Sequence, residues 1–137
     1  MALPNGAGGY QLGDGNINDP IIDLTADPVS VTATATLTPA QVLNGLILAN
    51  NGVTSAQTYT LPTVADLEAV LINSDRIGTT FTFRVVNLGT STGTAIIAAG
   101  TGWTVSGSLT MTIPVTTGAS MVARKSAAGA WTLYRVA

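Results

Sequence analysis

The chain is predicted to be all-β: a β-sandwich or jelly-roll-like domain with one or two short helices in its connections, preceded by an extended N-terminal arm. Three observations predict this. Short runs of apolar–polar alternation, the period of a strand with one wet face, recur at intervals of roughly 8–12 residues along most of the chain. Helical spacing occurs in only two places, each opened by a capping signal. Residues 1–28 differ in composition from everything that follows.

The arm holds Gly6, Gly8, Gly9, Gly13 and Gly15, with Pro4, Pro20 and Pro28, and carries Asp14, Asp19, Asp23 and Asp27 but no Lys or Arg. Its apolar residues, Leu3, Tyr10, Leu12, Ile17, Ile21, Ile22 and Leu24, follow no sustained period. They are too many for a solvated linker, so the segment reads as an extended arm with apolar anchors that docks on another surface.

The body, residues 29–137, opens with Val31–Leu37, which alternates small apolar residues with Thr as one strand. Thr38, Pro39 and Gln41 then form a cap, a first helical position and a capping-box partner. Leu37 and Val42 make a staple across them, and Gly45 ends the helix. Leu46–Ala49 is a buried strand stopped by the turn pair Asn51-Gly52. Thr58–Leu61 alternates until Pro62. Thr63 and Asp66 open a second capping box, and Val64, Leu67, Val70 and Leu71 give a helix ending near Asn73. Thr80–Asn87 is the clearest strand, with Phe81, Phe83 and Val85 on one face. Further strands follow at Thr94–Ala98, Trp103–Val105, Leu109–Ile113, Ser120–Arg124 and Trp131–Val136. In the last, Trp131, Leu133 and Arg135 share one face, and Tyr134 and Val136 the other.

Composition excludes much chemistry. Among 137 residues there is no histidine and no cysteine, and only 9% are charged. Disulfides, thiolate metal sites and histidine bases are therefore absent. Five basic residues are too few for a phosphate-tracking groove, so no nucleic acid partner is expected. Neither an export signal nor a membrane span is visible, and the chain reads as soluble and made in a cytoplasm. Charge well below the usual quarter of residues suits a surface partly hidden in an assembly.

The candidate sites are weak. Asp14-Gly15-Asn16-Ile17-Asn18-Asp19 begins like a calcium loop, but Asp19 stands where glycine belongs and Thr25 where the bidentate glutamate belongs. Gly100-Thr101-Gly102 lacks the rest of a dinucleotide fingerprint. Asp66 and Glu68 point to different faces of their helix and cannot act as a carboxylate pair, and Asp75 and Arg76 read as a surface pair. Arg124-Lys125 reads as a solvated strand end. The aromatics read as core rather than as a sugar-stacking stripe. No catalytic residue, metal site or cofactor is expected.

Two stretches, Leu37–Ala49 and Tyr59–Thr63, resemble segments of tailed-bacteriophage head decoration (cement) and head-fibre proteins. The strand Phe81–Asn87, then Ala98–Gly102 and the terminal Tyr134-Arg135, continue the likeness, which spans roughly residues 29–137. The resemblance implies a structural virion protein on the head surface: a homotrimer that ties major capsid subunits together, with no catalytic residues. On that reading Leu12, Ile17, Ile21, Ile22 and Leu24 insert between capsid subunits while Asp14, Asp19 and Asp23 meet basic rims. A fibre or spike module binding a host receptor or glycan, and a non-viral structural or adhesin module, stay open as alternatives.

Overall fold

In the computed structural model, residues 26–106 and 111–137 are described. They fold into two β-sheets with two short helices in the connections. The elements in chain order are β1 (Val29–Val31), β2 (Ala35–Thr36), α1 (Pro39–Leu43), β3 (Leu46–Ala49), β4 (Gln57–Thr60), α2 (Val64–Val70), β5 (Thr80–Asn87), β6 (Ala95–Ala98), β7 (Trp103–Ser106), β8 (Thr112–Ile113), β9 (Gly118–Ala127) and β10 (Ala130–Arg135).

The chain changes sheet at almost every strand. One sheet has the order β1-β3-β5-β9-β10-β7 and the other β2-β4-β6-β8. The first six strands therefore wind as three successive coils, each laying one strand on either sheet, parallel to the strand of the coil before. Ile47 lies between Val29 and Val85 in one sheet, and Tyr59 between Ala35 and Ile97 in the other. The winding then reverses: β8 runs antiparallel to β6 and β9 antiparallel to β5, with β10 antiparallel to β9 and β7 parallel to β10. A jelly roll is antiparallel throughout; here the pairings within the three coils are parallel. Alternation told each strand which face to bury and carried no information about its neighbour.

Buried residues of both sheets form one core. Ile47, Phe83, Val85, Met121, Trp131 and Leu133 come from the larger sheet, Tyr59, Ile97 and Ile113 from the smaller, and Val42 and Leu67 from the helices. Phe81, Trp131 and Trp103 are in ring contact across β5, β10 and β7.

Both helices start as their caps require. The Thr38 hydroxyl accepts from the Gln41 amide, and the Gln41 side chain accepts from the Thr38 amide. Leu37 and Val42 are both buried. At α2 the expected second capping box is half made: the Thr63 hydroxyl accepts from the Asp66 amide, and the Asp66 carboxylate accepts from that hydroxyl instead of from the Thr63 amide.

The single strand expected over Val31–Leu37 is two strands, β1 and β2, in different sheets. Thr34 sits at the bend between them. Its amide and hydroxyl both donate to Gln57 Oε1, and its hydroxyl accepts from the Thr58 amide. These side-chain bonds compete with the ladder and turn the chain from one sheet to the other. Leu109, expected to point inward, lies outside the described residues. No helix among the described residues is long and apolar enough to cross a membrane.

Candidate functional site

All eight arm residues singled out above, Leu12, Asp14, Ile17, Asp19, Ile21, Ile22, Asp23 and Leu24, lie outside the described residues, as does the calcium-like loop. The body offers three local arrangements instead.

The first is an ion pair with a buried lysine. Lys125 was expected to be a solvated strand end, yet it is 6% exposed. It occupies the inward parity of β9, after Ala119, Met121 and Ala123. Its Nζ lies 2.7 Å from Glu68 Oε1 on α2 and donates to the Ser74 carbonyl at 2.8 Å. Trp131 Nε1 donates to the same Glu68 oxygen at 3.0 Å. The hydrogen bonds from Lys125 and Trp131 hold the Glu68 carboxyl below its ordinary value. This arrangement clamps α2 and the loop after it onto β9 and β10. Arg124, the other half of the basic pair, is exposed, as are Asp75 and Arg76.

The second is a polar network inside the core. Asn50 and Asn87 are fully buried. Both donate to the Gly93 carbonyl, at 2.7 and 2.9 Å. Asn87 also donates to the Ile113 carbonyl of β8 and accepts from the Gly89 amide. The Tyr59 hydroxyl donates to Asn50 Oδ1, and burial pushes its ionisation above the usual phenol range. These bonds join the two sheets at the β5 exit. Asn50 has φ +57°, a left-handed conformation that asparagine tolerates better than most residues. Arg135 makes a second bridge, from β10 to the Thr112 carbonyl of β8.

The third is an exposed aliphatic group at the end of α2 and on the loop leaving it, comprising Val70, Ile72 and Ile77. Val70 and Ile72 line a groove with Leu71, Asn73, Ser74 and Thr79.

The aromatics sit mainly in the core, as expected: Tyr59, Phe83, Trp103 and Trp131 are buried, and the Trp103 indole donates to the Pro62 carbonyl. Among the described residues no three Asp or Glu side chains come together as metal ligands. Sequence reasoning missed Lys125 and the buried asparagines. Parity with Met121 and Ala123 was the available signal for Lys125, and parity with Phe83 and Val85 for Asn87.

Comparison with protein-family models, with curated proteins and with solved structures finds no match for this chain.

Proposed function

We propose that the chain is a phage capsid decoration (cement) protein, a homotrimer on the outside of the head that stabilises contacts between major capsid subunits. The body is read as a β-sandwich that performs no reaction. The observation that carries this proposal is the outer face of the six-stranded sheet. Leu46, Leu48, Val86, Val122 and Tyr134 all point away from the core and are half-buried. They form two rows, Leu48 beside Val86 and Val122 beside Tyr134, with Leu46, Arg84 and Ser120 in the row between. Arg84 and Arg124 are the charged residues on the outward parity of β5 and β9. A face this poor in charge and backed by a rigid sheet suits packing against copies of the same chain around a three-fold axis. The apolar, acidic arm supports attachment to the shell. Three arms on one trimer would bind with avidity, each losing its conformational freedom on docking.

The alternative, a head-fibre or tail-spike module binding a host receptor or glycan, is favoured less, because the large aromatics that would stack on a sugar are buried.

Light scattering tests the assembly: the expected mass is three times the 13.8 kDa chain. Val122→Arg on the outer face should reduce that mass to the single chain, with the β-sheet circular dichroism unchanged. Co-sedimentation with emptied heads tests the shell. Deleting residues 1–28 should abolish co-sedimentation and leave the trimer intact; unchanged attachment refutes the role given to the arm.

A further inference from the structure

Val70, Ile72 and Ile77 are 55%, 80% and 64% exposed. Three bare aliphatics within eight residues, at the end of α2 and on the loop after it, expose apolar surface to a partner. The loop that presents them is held firmly. The Ser74 carbonyl accepts from Lys125 Nζ, the Gly78 amide donates to the Lys125 carbonyl, and the Thr79 amide and hydroxyl both donate to the Arg76 carbonyl.

Charge around the loop is positive on balance. Arg76 is exposed within it, and the Arg124 guanidinium lies 3.7 Å from the position a Cβ on Gly78 would take. Asp75 is the loop's one carboxylate. The chain as a whole separates its charge. All five basic residues lie in the body, whereas Asp14, Asp19, Asp23 and Asp27 lie in the arm, which has none.

We propose that the occupant of this patch is the chain's own N-terminal segment, residues 12–24, bound in the free protein. Ile17, Ile21 and Ile22 cover the exposed aliphatics, and Asp19 and Asp23 face Arg76 and Arg124. The arm's point of departure allows it. The Asp27 carbonyl accepts from Asn44 Nδ2, beside Leu46, which pairs with Arg84. From Arg84 back to Thr80, where the loop joins β5, is about 14 Å at strand rise. Counted back from Asp27, the extended chain puts Leu24 within about 10 Å and Ile17 within about 35 Å.

Size favours a tethered occupant over a separate one. A stable interface between free partners buries on the order of 1,000 Å² or more, which three aliphatics and a shallow groove do not supply. A tethered segment works at an effective concentration on the order of millimolar and needs far less area. The contact is independent of the shell. If the arm also binds capsid subunits, attachment must first draw it off the patch.

The chain has no cysteine, so a single spin label can be placed cleanly at Ile22→Cys in the full-length protein. Amide resonances of Val70–Thr79 should broaden while those of Gln57–Thr60 stay sharp. Asp19→Lys with Asp23→Lys should remove most of that broadening without disturbing the body, and adding Arg76→Glu and Arg124→Glu to the same chain should restore it. Uniform or absent broadening overturns the proposal. So does broadening in a sample refolded from unlabelled ¹⁵N chains mixed with labelled ¹⁴N chains, which would assign the patch to a second copy. None of these outcomes depends on the trimer mass or on co-sedimentation.

Discussion

Lys125 is the only lysine in the chain, and it is buried against Glu68. Removing one member of such a pair costs more than replacing the whole pair, because the survivor keeps its desolvation penalty without its partner. Glu68→Ala strands the Lys125 ammonium on the Ser74 carbonyl alone and releases the Trp131 indole. The expected loss is about 2–3 kcal/mol in urea unfolding, below the fully buried limit because Glu68 keeps some contact with water. Lys125→Met leaves Glu68 facing solvent and fills the same volume, so its loss should be smaller, about 1 kcal/mol. The pair also sets an acid limit. The folded Glu68 carboxyl titrates below its ordinary value of 4.5. Its contribution is therefore complete above about pH 4.5 and is lost as pH falls through the lowered folded value. Urea midpoints recorded from pH 6 down to pH 3 should fall less steeply in Glu68→Gln than in the parent. Asn87 is the second sensitive residue. Asn87→Ala removes the partners of the Gly89 amide and the Ile113 carbonyl together, and should cost about 2–4 kcal/mol. Both residues follow the two-residue alternation of apolar neighbours. The parity was legible, but chemistry argued for a surface position, since lysine and asparagine are rarely buried without partners. Those partners come from distant parts of the chain.

Elements whose signals are local were the most legible. Both helices begin at the residues their caps name, because an N-cap bond is closed within four residues and needs nothing from the rest of the fold. Thr38→Ala should therefore cost about 1 kcal/mol and act mainly on α1. Glycine positions separate two kinds of constraint at the same scale. Gly45 has φ +89° with open space around it, so Gly45→Ala should cost only the backbone penalty of about 1–2 kcal/mol. A Cβ on Gly100 would sit 2.2 Å from the Leu61 carbonyl oxygen and 2.9 Å from that of Pro62. Gly100→Ala should cost distinctly more than Gly45→Ala in parallel urea titrations, because backbone on both sides must move. The glycines of Gly100-Thr101-Gly102 were legible in the sequence. The close approach of the β4 exit to them was not, since that approach joins segments about forty residues apart. The division of Val31–Leu37 into β1 and β2 was hidden for the opposite reason. Alternation continues smoothly through the bend, and only Thr34's bonds to Gln57 and Thr58 show that the chain has changed sheet.

At the scale of the whole molecule, winding decides how stability is distributed. Each of the first three coils rests on the next, so among the described strands the outermost coil, β1 with β2, has a neighbour on one side only. Its strands are also short, three and two residues, and Ala35 and Thr36 are exposed. The centre is different. β5 is flanked by β3 and β9, β9 by β5 and β10, and their inward residues Phe83, Val85, Met121 and Ala123 are buried. Native-state hydrogen exchange should therefore open in order. The ladder amides of β1 and β2 should exchange by local fraying, with little dependence on denaturant, and those of β5, β9 and β10 only through global unfolding. Tyr59 refines that order. Its hydroxyl reaches both the Val31 carbonyl of β1 and Asn50, so the outermost coil is pinned to the core at its far end. Tyr59→Phe should accelerate exchange in β1 more than in β9. If β1 and β9 instead gain equally, the network stabilises the molecule as a single unit and the coil-by-coil hierarchy fails. Because most of these contacts join strands distant in sequence, the centre should also form slowly, in milliseconds to seconds rather than microseconds, as stopped-flow refolding followed by Trp131 and Trp103 fluorescence would report.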